Sequence, residues 1–355
     1  MRVDIDAMSD FAERAYVVHI TKELGRPGAL ALRRTLQMVR QVHDAISSER
    51  LTAGVTVVSP IGEFSSPRPD LARTFADARE LTGWHTNRPL TVLDTRDGSL
   101  TAWPESISIT DIAETYVAYR YSGYQQEELV TPKQRHAVTP YANFPSTFGI
   151  PYFLDLREAL TQYGYMCIKE AQCDTFSKAW RNSARISFKP KPEMHMRRSL
   201  QRHLRASLRD HRSVEVMPEQ NVNETRPVDI KVHWASSNRV ALIEIKWLGS
   251  SYEDGKPRPT QYFPESRAVE GAEQLAVYLD LYHKESPEHE ARGYLTVVDG
   301  RRRRVREDST SINREDGFHY QYAEITYPPE VLARPDFAPP VRLFCEPVIT
   351  SDEDE

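Results

Sequence analysis

The sequence predicts a mixed α/β protein. Its C-terminal part reads as helix, strand, strand, strand, helix, strand (αβββαβ), preceded by a separate mixed α/β region. Three observations predict this. Residues 226–248 alternate apolar and polar and then run apolar, as the two arms of a β-hairpin do. Met196, Leu200, Leu204 and Leu208 form an i, i+4 stripe before the hairpin. Val269, Ala272, Leu275, Leu279 and Tyr282 form a second stripe after it, ahead of the apolar run GYLTVV.

Composition sets the bounds. The chain has 355 residues and 39% hydrophobic content, enough for about two domains. Lys+Arg 46 against Asp+Glu 51 leaves a net charge of -5, so any nucleic-acid surface is a local patch and not a global basic field. Cys167, Cys173 and Cys345 have neither metal-ligand spacing nor an even-numbered framework, which points to a reduced, cytoplasmic compartment. No apolar run approaches the roughly 18 residues of a membrane span, so no membrane partner is expected.

Residues 1–185 read as the mixed α/β region, with no nucleotide loop, metal cluster or nucleophile elbow. A helix over Met8–Ser48 is interrupted at Gly25-Arg26-Pro27-Gly28. A strand follows over Gly54–Ile61, then a helix over Leu71–Leu81. Leu90–Trp103 reads as a hairpin about Thr95-Arg96-Asp97-Gly98. Ile107–Tyr121 is expected as helix, Tyr124–Tyr152 as an extended surface loop and Phe153–Met166 as helix. His85, Asp94 and His136 are scattered and read as solvated surface.

The run SFKPKP at Ser187–Pro192 marks a boundary, giving a second domain over 186–310 and an extension over 311–355. A helix over Glu193–Leu208 starts after Pro192. Its remaining surface carries Arg197, Arg198, Arg202 and Arg205, with Arg209 and Arg212 at its exit. Such a face can grip phosphates or simply keep a helix solvated. Val214–Val222 is a strand leading into the hairpin. Gly249–Pro264 is long for a connection and is expected to face a substrate. Glu265–His283 is a helix and Arg292–Val298 a strand. The basic run Arg301, Arg302, Arg303 and Arg304 either holds a nucleic-acid backbone or is a solvated loop. Tyr320–Tyr327 is expected as a last strand, Pro328–Pro347 as irregular, and Ser351–Glu355 as a disordered acidic tail.

The hairpin carries the chemistry. Glu244 and Lys246 interrupt its apolar second arm and, two residues apart, point to one face. A buried carboxylate and ammonium are costly unless paired or binding something. Asp229 lies near the start of the first arm, so the antiparallel turn-back brings it toward Glu244. Two carboxylates with a lysine at one sheet edge suit a hard divalent cation, which takes its remaining ligands from water and substrate. A structural ion pair is the other reading of these residues.

Pro227-Val228-Asp229 followed by Glu244-Ile245-Lys246 resembles the motif of the PD-(D/E)xK, or restriction-endonuclease-like, nucleases, with a valine between proline and aspartate as a departure. The αβββαβ order is similar too, and the resemblance covers about residues 190–305. It implies hydrolysis of nucleic acid, DNA before RNA, with Mg2+ or Mn2+. Asp229, Glu244 and the carbonyl of Ile245 would ligate the metal, and Lys246 would orient the attacking water. Glu193, on the apolar face of its helix, would serve a second metal or hold a water of its shell. A helix-terminus acid favoured by the macrodipole is the alternative for Glu193. Gln274 and Tyr278 resemble the glutamine–tyrosine signature of the RecB-like branch, with Gln274 orienting Lys246 or contacting the substrate strand. The wider implication is an effector of restriction or anti-phage defence, with a homo-oligomeric or defence-system partner. A non-catalytic nucleic-acid-binding or assembly module on the same scaffold is the competing expectation.

Overall fold

The computed structural model describes residues 5–48, 50–62, 69–85, 88–106, 115–139, 145–149, 151–169, 173–208, 214–223, 226–235, 237–253, 255, 258–306 and 308–350. The chain divides into two compact units, Met1–Tyr152 and Phe153–Glu355. Both are mixed α/β, and each has one mixed sheet.

In the first unit the long helix α1 (Ile5–Ala45) is broken at Gly25, where φ is +67° and ψ -165°. Glycine tolerates that left-handed φ without a Cβ penalty. Leu32, Leu36, Val39 and Ile46 of this region are buried in one cluster with Val57, Val92 and Tyr119 of the sheet. The sheet comprises β1 (Val55–Pro60), β2 (Arg73–Phe75), β3 (Leu90–Asp94), β4 (Leu100–Trp103), β5 (Tyr116–Tyr121), β6 (Glu127–Val130) and β7 (Arg135–Ala137), in the order β2-β4-β3-β1-β5-β6-β7.

Four expectations for this unit are corrected. Residues 71–81 are not one helix. They form β2 and then a 3-10 turn, Ala78–Glu80, leading into α2 (Leu81–Trp84). Asp77 caps the Arg79 N–H, while Glu80 accepts from the Asp77 N–H, so the helical start is fixed at Asp77. Tyr116–Tyr121 is strand, in keeping with its aromatic and β-branched residues; residues 107–114 of that expected helix lie outside the described residues. The supposed surface loop supplies β6 and β7. Glu127, polar in sequence, is buried there because Tyr119 Oη, Ser146 Oγ and the Thr147 N–H all donate to its carboxylate. Asp94 is likewise buried, accepting from the Arg96 N–H and paired with Arg34 at 3.0 Å. His136 lies 3.2 Å from Glu23.

The second unit starts with α3 (Tyr152–Tyr163), whose last turn widens into a π-helical segment, Gly164–Lys169, and α4 (Asp174–Ser177). Then come α5 (Glu193–Ser207), β8 (Val214–Asn223), β9 (Arg226–Trp234), β10 (Arg239–Ser251), β11 (Gln261–Phe263), α6 (Ser266–Glu285), β12 (Glu290–Asp299), α7 (Arg314–Phe318), α8 (Pro329–Leu332) and β13 (Val341–Phe344). The sheet order is β13-β12-β10-β9-β8, with β11 attached to the end of β10. β8 and β10 each run antiparallel to β9 between them, and β10 runs parallel to β12 through the crossover helix α6. Asn238 closes the β9–β10 turn with φ +51°, a conformation asparagine adopts readily. Lys246 and Trp247 are consecutive on β10 and so point to opposite faces. One meets Gln274 of α6 and the other Glu193 of α5, so the sheet is a layer between these two helices.

The second unit is larger than the span 186–310. Residues 153–185 belong to it: the Phe153 ring meets Trp234 at 5.7 Å, Tyr294 Oη donates to the Phe153 carbonyl, and Trp180 stacks on Phe188 at 4.1 Å. The segment after 310 joins it as well. Its strand is β13, in the proline-rich stretch expected to be irregular, whereas residues 320–327 form no strand. The acidic tail, Arg209 and Arg212 lie outside the described residues. Among the described residues no helix is long and apolar enough to cross a membrane.

Asp299 ties β13 to the core. It is fully buried at the end of β12 and is held by the backbone and guanidinium of Arg301 and by Arg342 of β13. Its removal leaves two guanidiniums facing each other without their anion. Asp299→Ala is expected to cost about 3–5 kcal/mol of unfolding free energy, read from denaturant midpoints; a loss within ~0.5 kcal/mol would show that the pair is dispensable.

Candidate functional site

The site grows from a break in a ladder. β9 and β10 pair from Trp234↔Arg239 to Ile230↔Ile243 and no further. Beyond that rung β10 continues along β12 to Leu248↔Asp299, while β9 continues along β8 toward Arg226. The two strands therefore fork, and Asp229 is the first residue of β9 past the last rung. Its Oδ2 accepts from the Ile245 N–H at 2.9 Å, satisfying a backbone donor that faces the opening. Arg197 of α5 approaches Asp229 Oδ1 at 3.4 Å and also pairs with Glu219.

Glu244 and Lys246 lie across the fork. The Glu244 side chain is 5% exposed and that of Lys246 8%. Lys246 Nζ donates to Glu244 Oε1 at 2.6 Å and to Gln274 Oε1 at 2.9 Å. Gln274 Nε2 donates to Tyr278 Oη, and Tyr278 Oη reaches the Pro227 carbonyl at 3.5 Å. This chain of contacts begins on β10, crosses α6 and returns to β9 two residues before Asp229. Gly271 makes it possible: a Cβ there would lie 2.5 Å from Lys246 Cγ and 2.9 Å from Cε. Glu244 Oε2 is buried and has no hydrogen-bond partner among the described residues.

Electrostatics follow from this placement. Burial, helped by the Asp229 charge and opposed by Lys246 and Arg267, pushes the Glu244 carboxyl up to about 7. Burial also raises Asp229, against the Ile245 N–H, Lys246 and Arg197. At neutral pH the fork thus holds one carboxyl, Glu244, near its own titration point and a second, Asp229, raised by its own burial.

Asp229, Glu244, Ile245, Lys246 and Gln274 are brought together; Glu193 is not. Its carboxylate accepts from Trp247 Nε1 at 2.7 Å on the opposite face of the sheet. The α5 side chain that reaches the site is Arg197, one turn further on, which the sequence marked only as part of an arginine face. Arg267 is the other contributor that sequence reading missed. Its signal was its spacing with Gly271, Gln274 and Tyr278 along one face of α6.

The basic run is mostly an internal fixture. Arg301 is buried against Asp299 and lies over the Tyr320 ring. Arg302 donates to the carbonyls of Cys345 and Arg185 and lies over Trp180 and Phe344; burial pushes its guanidinium down to about 10. Arg303 pairs with Asp316 and Glu315. Arg304 is exposed. Buried acceptors, acidic partners and aromatic faces thus occupy the guanidiniums of Arg301, Arg302 and Arg303 inside the fold. Arg198 and Arg202 are exposed on α5 and have no hydrogen-bond partner among the described residues.

Among the described residues no group of three or more His, Cys, Asp and Glu side chains gathers as a metal cage. Compared with family models, curated proteins and solved structures, the chain matches none.

The raised Glu244 carboxyl has a consequence for stability. Its ordinary value is 4.5, so between that pH and about 7 the folded chain holds a proton that the unfolded chain has released. The resulting stabilisation is fully present below about pH 4.5 and is lost as pH rises through 7. Without added metal, Glu244→Gln should therefore gain on the parent protein between pH 5 and 8, by on the order of 2–3 kcal/mol. Denaturant midpoints at the two pH values check this; parallel curves for the two proteins would mean that Glu244 is ionised throughout.

Proposed function

We propose that the second unit is a divalent-cation-dependent phosphodiesterase acting on nucleic acid, with DNA the preferred substrate, as in the PD-(D/E)xK nucleases that its hairpin resembles. The αβββαβ order of its elements agrees with that reading. One observation carries it: the fork between β9 and β10 puts Asp229 and Glu244 side by side, with Lys246 on the next pleat and a buried Glu244 oxygen left unbonded.

The donor set fits Mg2+ or Mn2+. Both prefer oxygen ligands and are commonly bound through one or two carboxylates plus substrate phosphate and water. The unbonded Glu244 Oε2 and the loosely held Asp229 Oδ1 are the oxygens that would hold the ion, with the Ile245 carbonyl on the strand between them. When bound, the cation supplies Lewis acidity and lowers the pKa of a coordinated water. The chain's own residues do the rest. The Ile245 N–H fixes the rotamer of Asp229. Gln274, itself held by Tyr278, keeps the Lys246 ammonium beside Glu244. There it orients an attacking water and stabilises negative charge developing at the phosphate. The side chains of Glu244 and Lys246 exclude bulk water by their burial.

A second reading has its own observation. Glu244, Lys246, Gln274, Tyr278 and Pro227 form a continuous chain of contacts that would also serve as a structural cluster on a non-catalytic module. Calorimetric titration with Mn2+ separates the two, because a closed cluster takes up no ion.

Incubation with linear, circular and single-stranded DNA and with RNA, with and without Mg2+, tests the activity itself. Asp229→Ala and Glu244→Ala are expected to abolish cleavage. The metal-free Glu244→Ala protein should be as stable as the parent or more so, and Asp229→Ala should lose no more than about 1–3 kcal/mol, the cost of orphaning the Ile245 N–H. Melting far below the parent would assign the acids to structure. Lys246→Ala should keep divalent-ion affinity and lose roughly a hundredfold or more in turnover, about 3 kcal/mol of transition-state stabilisation. Lys246→Arg should not restore it, since the broader guanidinium occupies different space and keeps its proton. Single-turnover cleavage by Lys246→Ala at the parent rate would remove the lysine from the chemistry.

A further inference from the structure

Four residues share one face of α6 at helical spacing: Arg267, Gly271, Gln274 and Tyr278. The last three are accounted for by the approach to Lys246 and the contacts that hold it. Arg267 opens the stripe. It stands in the first turn of the helix, where the macrodipole disfavours a cation. Its guanidinium lies 4.9 Å from the centre of the Phe263 ring, and Arg267 stands one turn before Gly271, the residue whose lack of a Cβ admits Lys246. Its charge is felt at Glu244, where it joins Lys246 in opposing the effect of burial.

The cations around the fork differ in how firmly they are held. Lys246 is buried between Glu244 and Gln274. Arg197 divides itself between Asp229 and Glu219. Arg267 is paired with Glu270 at 2.9 Å, with the two side chains 36% and 57% exposed. A pair this exposed is weak and salt-screened, so its cation exchanges partners at little cost. A nucleic-acid phosphate entering the fork meets two carboxylates, and among these three described residues Arg267 is the cation that can turn to meet it.

We infer that Arg267 is the substrate-phosphate ligand of this site: seated on Phe263, it releases Glu270 and takes the non-bridging oxygens of the phosphodiester next to Asp229, Glu244 and Lys246. The inference rests on the nuclease reading of the fork. A planar guanidinium matches two phosphate oxygens, and stacking on the aromatic face limits the orientations it must give up on binding. The role is binding and placement of the strand; no proton moves to or from Arg267.

The test compares the parent protein with Arg267→Ala, Arg267→Lys and Glu270→Gln. Binding of single-stranded and duplex oligonucleotides is followed by fluorescence anisotropy with Ca2+ in place of Mg2+. Cleavage is followed at steady state with Mg2+, and Mn2+ affinity by calorimetry. Arg267→Ala is expected to weaken oligonucleotide binding and raise KM by roughly tenfold or more, with kcat changed by less than about threefold. The slope of log affinity against log salt should fall by about one. Mn2+ affinity and thermal midpoint should stay at the parent values. Arg267→Lys should recover part of the loss, and Glu270→Gln should bind as well as the parent or better. A parent protein that cuts, beside an Arg267→Ala variant with unchanged KM and salt slope, overturns the inference and leaves the nuclease reading standing. Equal losses in Mn2+ affinity and thermal midpoint would make Arg267 a structural residue and overturn it as well. A parent protein that neither binds nor cuts any nucleic acid removes both.

Discussion

Everything proposed for the second unit depends on where one β-ladder stops. A strand pair that separates in the middle of a sheet exposes backbone donors that must find partners. Here the Ile245 N–H finds a side chain, Asp229, in place of a strand carbonyl. That substitution fixes the fork and also brings a carboxylate into a sheet that would otherwise exclude it. The opposite edge of β10 stays zipped to the whole of β12, from Arg239↔Glu290 to Leu248↔Asp299. β10 therefore holds its line while β9 follows β8 away. The fork is rigid on one side and set by a single hydrogen bond on the other.

Much of this was legible in sequence because strands buried between helices leave a plain signal. An apolar strand interrupted by Glu244 and Lys246 at even spacing predicts two charges on one buried face, and the structure has them there. The order helix, three strands, helix, strand was legible for the same reason: the stripes on α5 and α6 are what two helices on a sheet require. The first unit was harder. Its strands are short, and β5 and β6 carry polar groups such as Glu127 that bury themselves by local hydrogen bonding. A composition-based reading takes such residues for surface. β13 escaped notice because a four-residue strand beside prolines has almost no periodicity to show.

The basic residues teach a different lesson. Charge runs read from sequence invite a phosphate partner, yet Arg301, Arg302 and Arg303 are used inside the fold, on Asp299, on backbone carbonyls and on Asp316. Their acidic partners lie 2 and 13 residues away, and Arg302's carbonyl acceptors, Cys345 and Arg185, lie 43 and 117 residues away. No local rule connects an arginine to a carbonyl 43 residues on. Glu193 is the same case in reverse. Its position on the apolar face of α5 was correctly odd, but the partner that resolves the oddity is an indole N–H on the far face of β10. Sequence shows that a buried charge needs a partner; topology decides which one it gets.

The unbonded oxygen of Glu244 is what favours the proposed cation site over a structural cluster. A buried ion pair kept only for stability gains from satisfying every lone pair, because desolvation of the charges already offsets much of their attraction. Lys246 has two acceptors, and Gln274 in turn is held by Tyr278, so the cationic side of the pair is well supplied. The anionic side is not: Oε2 is buried without a donor, while Asp229 across the fork adds repulsion. Replacing both partners by apolar side chains would be the cheaper way to fill that space. Retaining two acids, one lysine and a glycine that opens room for the lysine makes physical sense when a cation joins the pair. A cation bound as proposed would relieve the repulsion between the acids and give the unbonded oxygen a ligand, the fold having already met the cost of holding them together.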